Sequence, residues 1–144
     1  YKVRKYGAHG TSHKYVTGRI AEIMGRDDLK VISCHIGQGA SISAVKNGKC
    51  VDTSMGLTPL AGIPMGSRSG DLDPSVVTYI MDKENISARE MESILNRKSG
   101  LSGMTNLAPD FRQIESMSNE NEEAALAVEV FTTKVAEYVS RYDA

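Results

Sequence analysis

Leu29-Lys30-Val31-Ile32-Ser33-Cys34, followed by Ala40 to Lys46, Asn47-Gly48 and Lys49 to Ser54, is the stretch that decides the fold. The first six residues read as a buried strand. Asn-Gly between two β-capable runs is a strong hairpin signal, because both central positions of a type I′ turn need φ > 0. Three sequential antiparallel strands follow. Upstream, Val16, Ile20, Ile23 and Met24 recur at helical spacing, with Thr11 or Ser12 as the cap and Gly25 as the stop.

Downstream, a Gly- and Pro-rich loop runs from Met55 to Pro74, too long for a simple connection and of the kind that often carries function. Asp73-Pro74 opens a helix with Val76, Val77, Ile80 and Met81 on its apolar face. Ser87-Ala88-Arg89-Glu90 is a capping box for another, with Met91, Ile94 and Leu95 inward and Gly100 beyond its end. A loop from Ser99 to Pro109 leads to a short segment capped by Asp110. A long helix then starts near Glu120 and faces inward with Val128, Phe131, Val135 and Val139. The expected class is α/β, three antiparallel strands followed by helices.

The 144 residues carry 17 Lys plus Arg against 18 Asp plus Glu, a net charge of −1. No global basic field exists to attract nucleic acid or an anionic membrane, so phosphate recognition would have to be local. No run approaches the roughly 18 apolar residues of a membrane helix. A soluble, cytoplasmic protein is the default expectation. Cys34 and Cys50 lack a CxxC spacing and are expected to be reduced, buried thiols. The chain begins with Tyr1 and its last helix has no stop signal before Ala144, which together suggest an internal piece of a longer protein.

Three Gly-rich clusters can carry chemistry. In Tyr6-Gly7-Ala8-His9-Gly10-Thr11-Ser12-His13, two histidines lie four apart, but Gly10 intervenes and no Glu follows His9 as a zincin pattern requires. A zinc module using His9, His13 and His35 is thus disfavoured, and no metal ligand is assigned. His13 reads as a packing residue at the helix start, and His9 as the chemical one. In His35-Ile36-Gly37-Gln38-Gly39-Ala40-Ser41, alternate glycines let the backbone approach a ligand closely and turn N–H groups toward phosphate oxygens, although Gly-x-Gly is also an ordinary tight turn. In Pro64-Met65-Gly66-Ser67-Arg68-Ser69-Gly70-Asp71, one guanidinium sits in a loop of short residues. It suits phosphoryl oxygens, or alternatively staples the loop through Asp71.

Residues 6–16, 34–41, 51–60, 65–74 and 96–101, taken in order, closely resemble the acetate kinase family over essentially the whole chain. The resemblance implies a ribonuclease-H-like, actin-like ATPase fold, with residues 1–144 forming part of the C-terminal nucleotide-binding domain. It implies reversible, ATP-dependent phosphorylation of acetate by direct in-line transfer, in a protein that is a homodimer when complete. By the same resemblance, His9 and Arg68 stabilise the transition state. His35, Ile36, Gly37, Gln38 and Gly39 bind the ATP phosphates, and Asp110, Phe111 and Arg112 lie near the adenosine. The Mg²⁺ ligands, the acyl-binding Arg and a catalytic Asp of the family have no counterpart here and are expected outside the chain, so the isolated 144 residues are not expected to form acyl phosphate. A non-catalytic nucleotide-binding fragment is the alternative of a different class. Ala8 stands where the family usually has an aromatic, which leaves space beside His9, and Gln38 where it has Asn, which keeps the amide but lengthens its reach to the phosphates by one methylene. Propionate or another short-chain acid stays open as the substrate, because the residues that size the family's acyl pocket are expected largely outside this chain.

Overall fold

The computed structural model, which describes residues 1–144, has Asn47 and Gly48 at φ 51° and 70°. Both values are the positive ones a type I′ turn requires. This turn joins β2 (Ala40–Lys46) to β3 (Lys49–Thr53), and β1 (Lys30–Ile36) pairs antiparallel with β2 on its other side, from Lys30 opposite Lys46 to Ile36 opposite Ala40. The β2–β3 ladder has an irregularity between Ala44 and Val45. The helices are α1 (Gly10–Met24), α2 (Pro74–Glu84), α3 (Ala88–Arg97), α4 (Gly100–Thr105), α5 (Phe111–Met117) and α6 (Glu122–Asp143), of which α1 and α6 pack on the sheet. The fold is α/β, as the sequence pattern requires.

The sheet sorts its side chains with a period of two. On one face of β2, Ala40 and Ile42 join Met55, Ile63, Met65, Leu101 and Ile114 in a core closed by α6 through Ala124, Ala127, Phe131 and Tyr138. Ile42, Ile63 and Ile114 are fully buried, each stabilising the fold by about 1.5–3 kcal/mol. On the opposite face, Ser41 meets His13 of α1.

The central strand is therefore the buried one. β2 is buried from Ala40 to Val45, whereas in β1, expected to be the buried strand, only Ser33 is. β1 and β3 are the edges of the sheet, and for that reason Cys34 and Cys50 are exposed rather than buried, though both are free thiols.

α1 corrects the sequence reading in two respects. Its N-cap position is His9, at φ 60° with no side-chain cap, because Thr11 and Ser12 are already helical. Its inward face is His13 and Thr17, while Val16, Ile23 and Met24 are exposed. The face β1 and β2 offer it is made of serines, and polar partners match polar partners. Gly25 ends the helix at φ 64°, as read.

α2 has Asp73 accepting from the Ser75 N–H and Pro74 at its first turn, but none of its residues is buried and Val76 is 43% exposed. Within this chain it packs chiefly on α3, which covers too little surface to enclose its apolar face. The Ser87–Glu90 capping box of α3 is formed in both directions, and Met91 is buried. The stretch from Ser99 to Pro109 is not all loop, for it contains α4; six residues with two glycines carry no readable amphipathic period. Asp110 caps α5 by accepting from the Arg112 N–H, and Asn121 caps α6, which starts at Glu122 and turns Phe131, Val128, Val135 and Val139 to the core.

The loop between β3 and α2 runs through the interior, with Gly62, Ile63, Pro64, Met65 and Gly66 all buried. Buried backbone groups need partners, and the neighbouring elements supply them. Leu101 and Ser102 at the start of α4 donate to the carbonyls of Met65 (3.0 Å) and Gly66 (2.8 Å). Ser99 N–H donates to Ser67 O at 3.0 Å, and Ser69 N–H to Leu95 O at 2.9 Å. The segment that carries Arg68 is thereby fixed from both sides.

Candidate active site

Three histidines from two elements gather beside the β1–β2 turn. His9 precedes α1 in the left-handed region, an uncommon conformation for a residue with a side chain, although His is among those that enter it more often. Its Nδ1 lies 2.8 Å from Ser41 Oγ, and its ring stacks on that of His35 with centroids 3.9 Å apart and planes 15° from parallel. His35 Nδ1 is 3.0 Å from Ser12 Oγ. His13, buried, lies between two hydroxyls, Ser33 Oγ at 2.9 Å from Nδ1 and Ser41 Oγ at 2.8 Å from Nε2. Each ring is thus oriented by serine. The three do not converge on one point, and no cluster of three His, Cys, Asp or Glu is arranged to hold a metal ion.

Burial, then the positive charge of His35, then that of Arg68 hold His9 below its ordinary pKa of 6.5. Burial, His35 and His9 do the same for His13. In the unfolded chain both would charge as pH falls through 6.5, whereas in the fold they resist. The unfolded state therefore binds more protons in that window, and stability rises with pH there. We expect the denaturation midpoint of the full gene product to be level above about pH 6.5 and to fall on acidification below it. A midpoint that holds or rises on acidification would contradict the histidine environment described.

Arg68 lies at the mouth of this cluster. Its Nη1 donates to Pro59 O at 3.2 Å and approaches Met65 Sδ at 3.7 Å, and no other guanidinium nitrogen has a protein partner. The staple to Asp71, the alternative reading of this Arg, does not form. Asp71 instead accepts from the Gly62 N–H and from the Tyr138 hydroxyl, which ties α6 to the loop. Arg68 and His9, 59 positions apart in sequence, meet at Gly39. A Cβ there would sit 3.4 Å from His9 Nε2 and 3.5 Å from Arg68 Nη1. Only a residue without a side chain leaves that space open.

On the other side of the turn is a cavity of about 520 Å³, within the range for small-molecule sites. It brings Ile36, Gly37 and Gln38 opposite Asp110, Phe111 and Arg112, two stretches that only the fold makes neighbours. Gly66 N–H donates to Gln38 O at 3.3 Å and holds the turn to the Arg68 loop. The Asp110 carboxylate pairs with Arg112 at 3.2 Å on the surface.

Ser33, Ser41, Ser12 and the orienting part of His13 are functional features that residue type and spacing alone do not single out. A signal existed: Ser33 and His35 on β1 lie opposite Ser43 and Ser41 on β2, so one sheet face is polar at every second residue.

The whole chain, residues 1–144, matches the profile of the acetokinase family. It is 52% identical over 142 residues to an acetate kinase of Brachyspira hyodysenteriae, covering 99% of this chain and 36% of that protein. To one of Lachnoclostridium phytofermentans it is 57% identical over 145 residues, covering 99% and 37%. Among solved structures, the acetate kinase of Porphyromonas gingivalis superposes with a TM-score of 0.93 at 46% identity, over 97% of this chain and 36% of that one. A propionate kinase of Francisella tularensis gives the same TM-score at 47% identity and the same coverage. The chain thus spans a little over a third of the length of these relatives. Matched along its full length, it belongs to the acetokinase family.

Proposed function

We propose that residues 1–144 form the nucleotide-facing part of an acyl kinase that phosphorylates acetate with ATP, within the C-terminal domain of the complete enzyme. The observation that carries this reading is the convergence of His9 Nε2 and Arg68 Nη1 on the open space at Gly39, beside a cavity lined by Gly37 and Phe111. ATP, when bound, supplies the phosphoryl group to be transferred to the carboxylate. The protein then has to position and neutralise rather than form covalent bonds.

The cavity suits a nucleotide, with the Ile36–Gly39 turn toward the phosphates and Phe111 and Asp110 toward the nucleoside. The uncommitted donors of Arg68 would meet equatorial oxygens in the forked geometry that guanidinium offers. His9 would donate from Nε2 to charge that develops only during transfer. Mg²⁺ does not fit the residues present: Asp71 is held by Gly62 and Tyr138, Asp73 caps α2 and Asp110 pairs with Arg112.

Replacing His9 with alanine in the full gene product should lower kcat by about 10²–10³-fold, the cost of one lost oxyanion donor, while the KM for ATP changes little. A change confined to KM would make His9 a ground-state binding residue. Propionate is the second reading, supported by the likeness to the Francisella tularensis propionate kinase and by the short side chain of Ala8 next to His9. Ratios of kcat/KM for acetate, propionate and butyrate decide between the two.

A further inference from the structure

The protons around His9 can be counted. Ser33 Oγ is buried and has one side-chain partner, His13 Nδ1 at 2.9 Å. A hydroxyl has a single proton to donate. Were His13 protonated on Nδ1, it would donate to Ser33 and leave the Ser33 proton with no acceptor. Ser33 therefore donates to Nδ1, and the proton of neutral His13 lies on Nε2, where it is given to Ser41 Oγ at 2.8 Å. The Ser41 proton then has two acceptors in reach, His9 Nδ1 at 2.8 Å and the Ala8 carbonyl at 3.3 Å. The shorter contact goes to His9.

We infer that Ser33, His13 and Ser41 form a directional hydrogen-bond relay that fixes His9 as its Nε2–H tautomer, so that the nitrogen facing the space at Gly39 is a donor. The relay rests on the role proposed above for His9 and deepens it. In the opposite tautomer Nε2 would present a lone pair to an anionic oxygen. Because burial, His35 and Arg68 all disfavour a second proton on His9, the neutral ring has one proton, and its location decides between attraction and repulsion. His35 lies parallel to the His9 ring and bonds to Ser12, outside the relay. Ser33, His13 and Ser41 are positioning residues, since each acts through His9.

Ser33 is the sharpest probe, because any effect of it on the tautomer must pass through His13 and Ser41. In the full gene product with ¹⁵N-labelled histidine, ring-nitrogen spectra should show His9 protonated on Nε2. Ser33→Ala and Ser41→Ala should each shift the proton population toward Nδ1. kcat should fall by about tenfold or more, a fraction of the value of a lost donor, with the KM for ATP within about twofold of wild type. Ser33→Thr, which keeps the hydroxyl, should restore both. An Nδ1–H tautomer in the wild type, which requires no variant to fold, overturns the relay, as does an unaltered His9 spectrum in both alanine variants. A tautomer shift without loss of kcat upholds the relay and overturns the catalytic role of His9 instead.

Discussion

Arg68→Ala in the full gene product should lower kcat for acyl phosphate formation by about 10³–10⁵-fold, the range for an arginine that neutralises a transferring phosphoryl group. Three of the five guanidinium N–H donors, the one on Nε and the two on Nη2, make no contact within the protein, and the one nitrogen that is engaged, Nη1, reaches only a carbonyl and a thioether. Alanine would therefore leave no buried charge unpaired, and the fold should tolerate the change. In the role proposed for Arg68 the loss should fall on kcat far more than on the KM for ATP, because the charge it would meet is greatest during transfer. Arg68→Lys should recover little, since an ammonium group has neither the planar fork nor the reach of the anchored guanidinium. A kcat for Arg68→Ala within about tenfold of wild type would remove Arg68 from the phosphoryl site and, with it, the main support for the proposed function.

What could be read from the sequence, and what could not, follows from where each signal originates. The Asn47-Gly48 turn, the Ser87–Glu90 capping box and the Asp110 cap are local: their backbone requirements are met by the residues themselves, and the structure repeats them. The inward face of α1 is not local. Hydrophobic periodicity assumes that apolar side chains turn toward this chain's core, yet His13 and Thr17 turn inward because β1 and β2 present serines to them. The exposure of Cys34 and Cys50 likewise depends on which strand ends at the edge, a property of topology rather than of any six-residue window.

The site divides in the same way. His9, Arg68 and the 35–39 turn stand out in Gly-rich clusters suited to phosphate, and the family resemblance adds the role expected of each. Their meeting at Gly39 is a long-range fact that no spacing encodes. The pairing of Ile36, Gly37 and Gln38 with Asp110, Phe111 and Arg112 across one cavity is of the same kind. Conversely, the serines that orient the histidines were visible as polar residues at alternate strand positions. A serine in a strand, however, has no chemistry of its own until a ring nitrogen is placed beside it.

Gly100→Ala is the substitution expected to damage the fold most, and its effect should reach Arg68 without touching it. Gly100 has φ +61°, which costs a residue with a Cβ about 1–2 kcal/mol. The new methyl would also be driven into backbone, 2.1 Å from Met65 O and 2.5 Å from Arg68 O. No side chain can rotate away to relieve those contacts, so an overpacking cost of about 1–3 kcal/mol adds to the first. The combined loss, about 2–5 kcal/mol, should appear as a lowered denaturation midpoint. Relief is available only by moving α4 away from the loop, which would strain the Leu101–Met65 and Ser102–Gly66 hydrogen bonds that fix the Arg68 segment. Folded Gly100→Ala protein should therefore also lose kcat, with Arg68 intact but displaced from Gly39. Gly18→Ala is the control: it lies within α1 with nothing near its added methyl, and it should be neutral or stabilising by up to about 1 kcal/mol. Equal stability for Gly100→Ala and Gly18→Ala would mean that α4 does not clamp the loop, and the account of how Arg68 is held would fall.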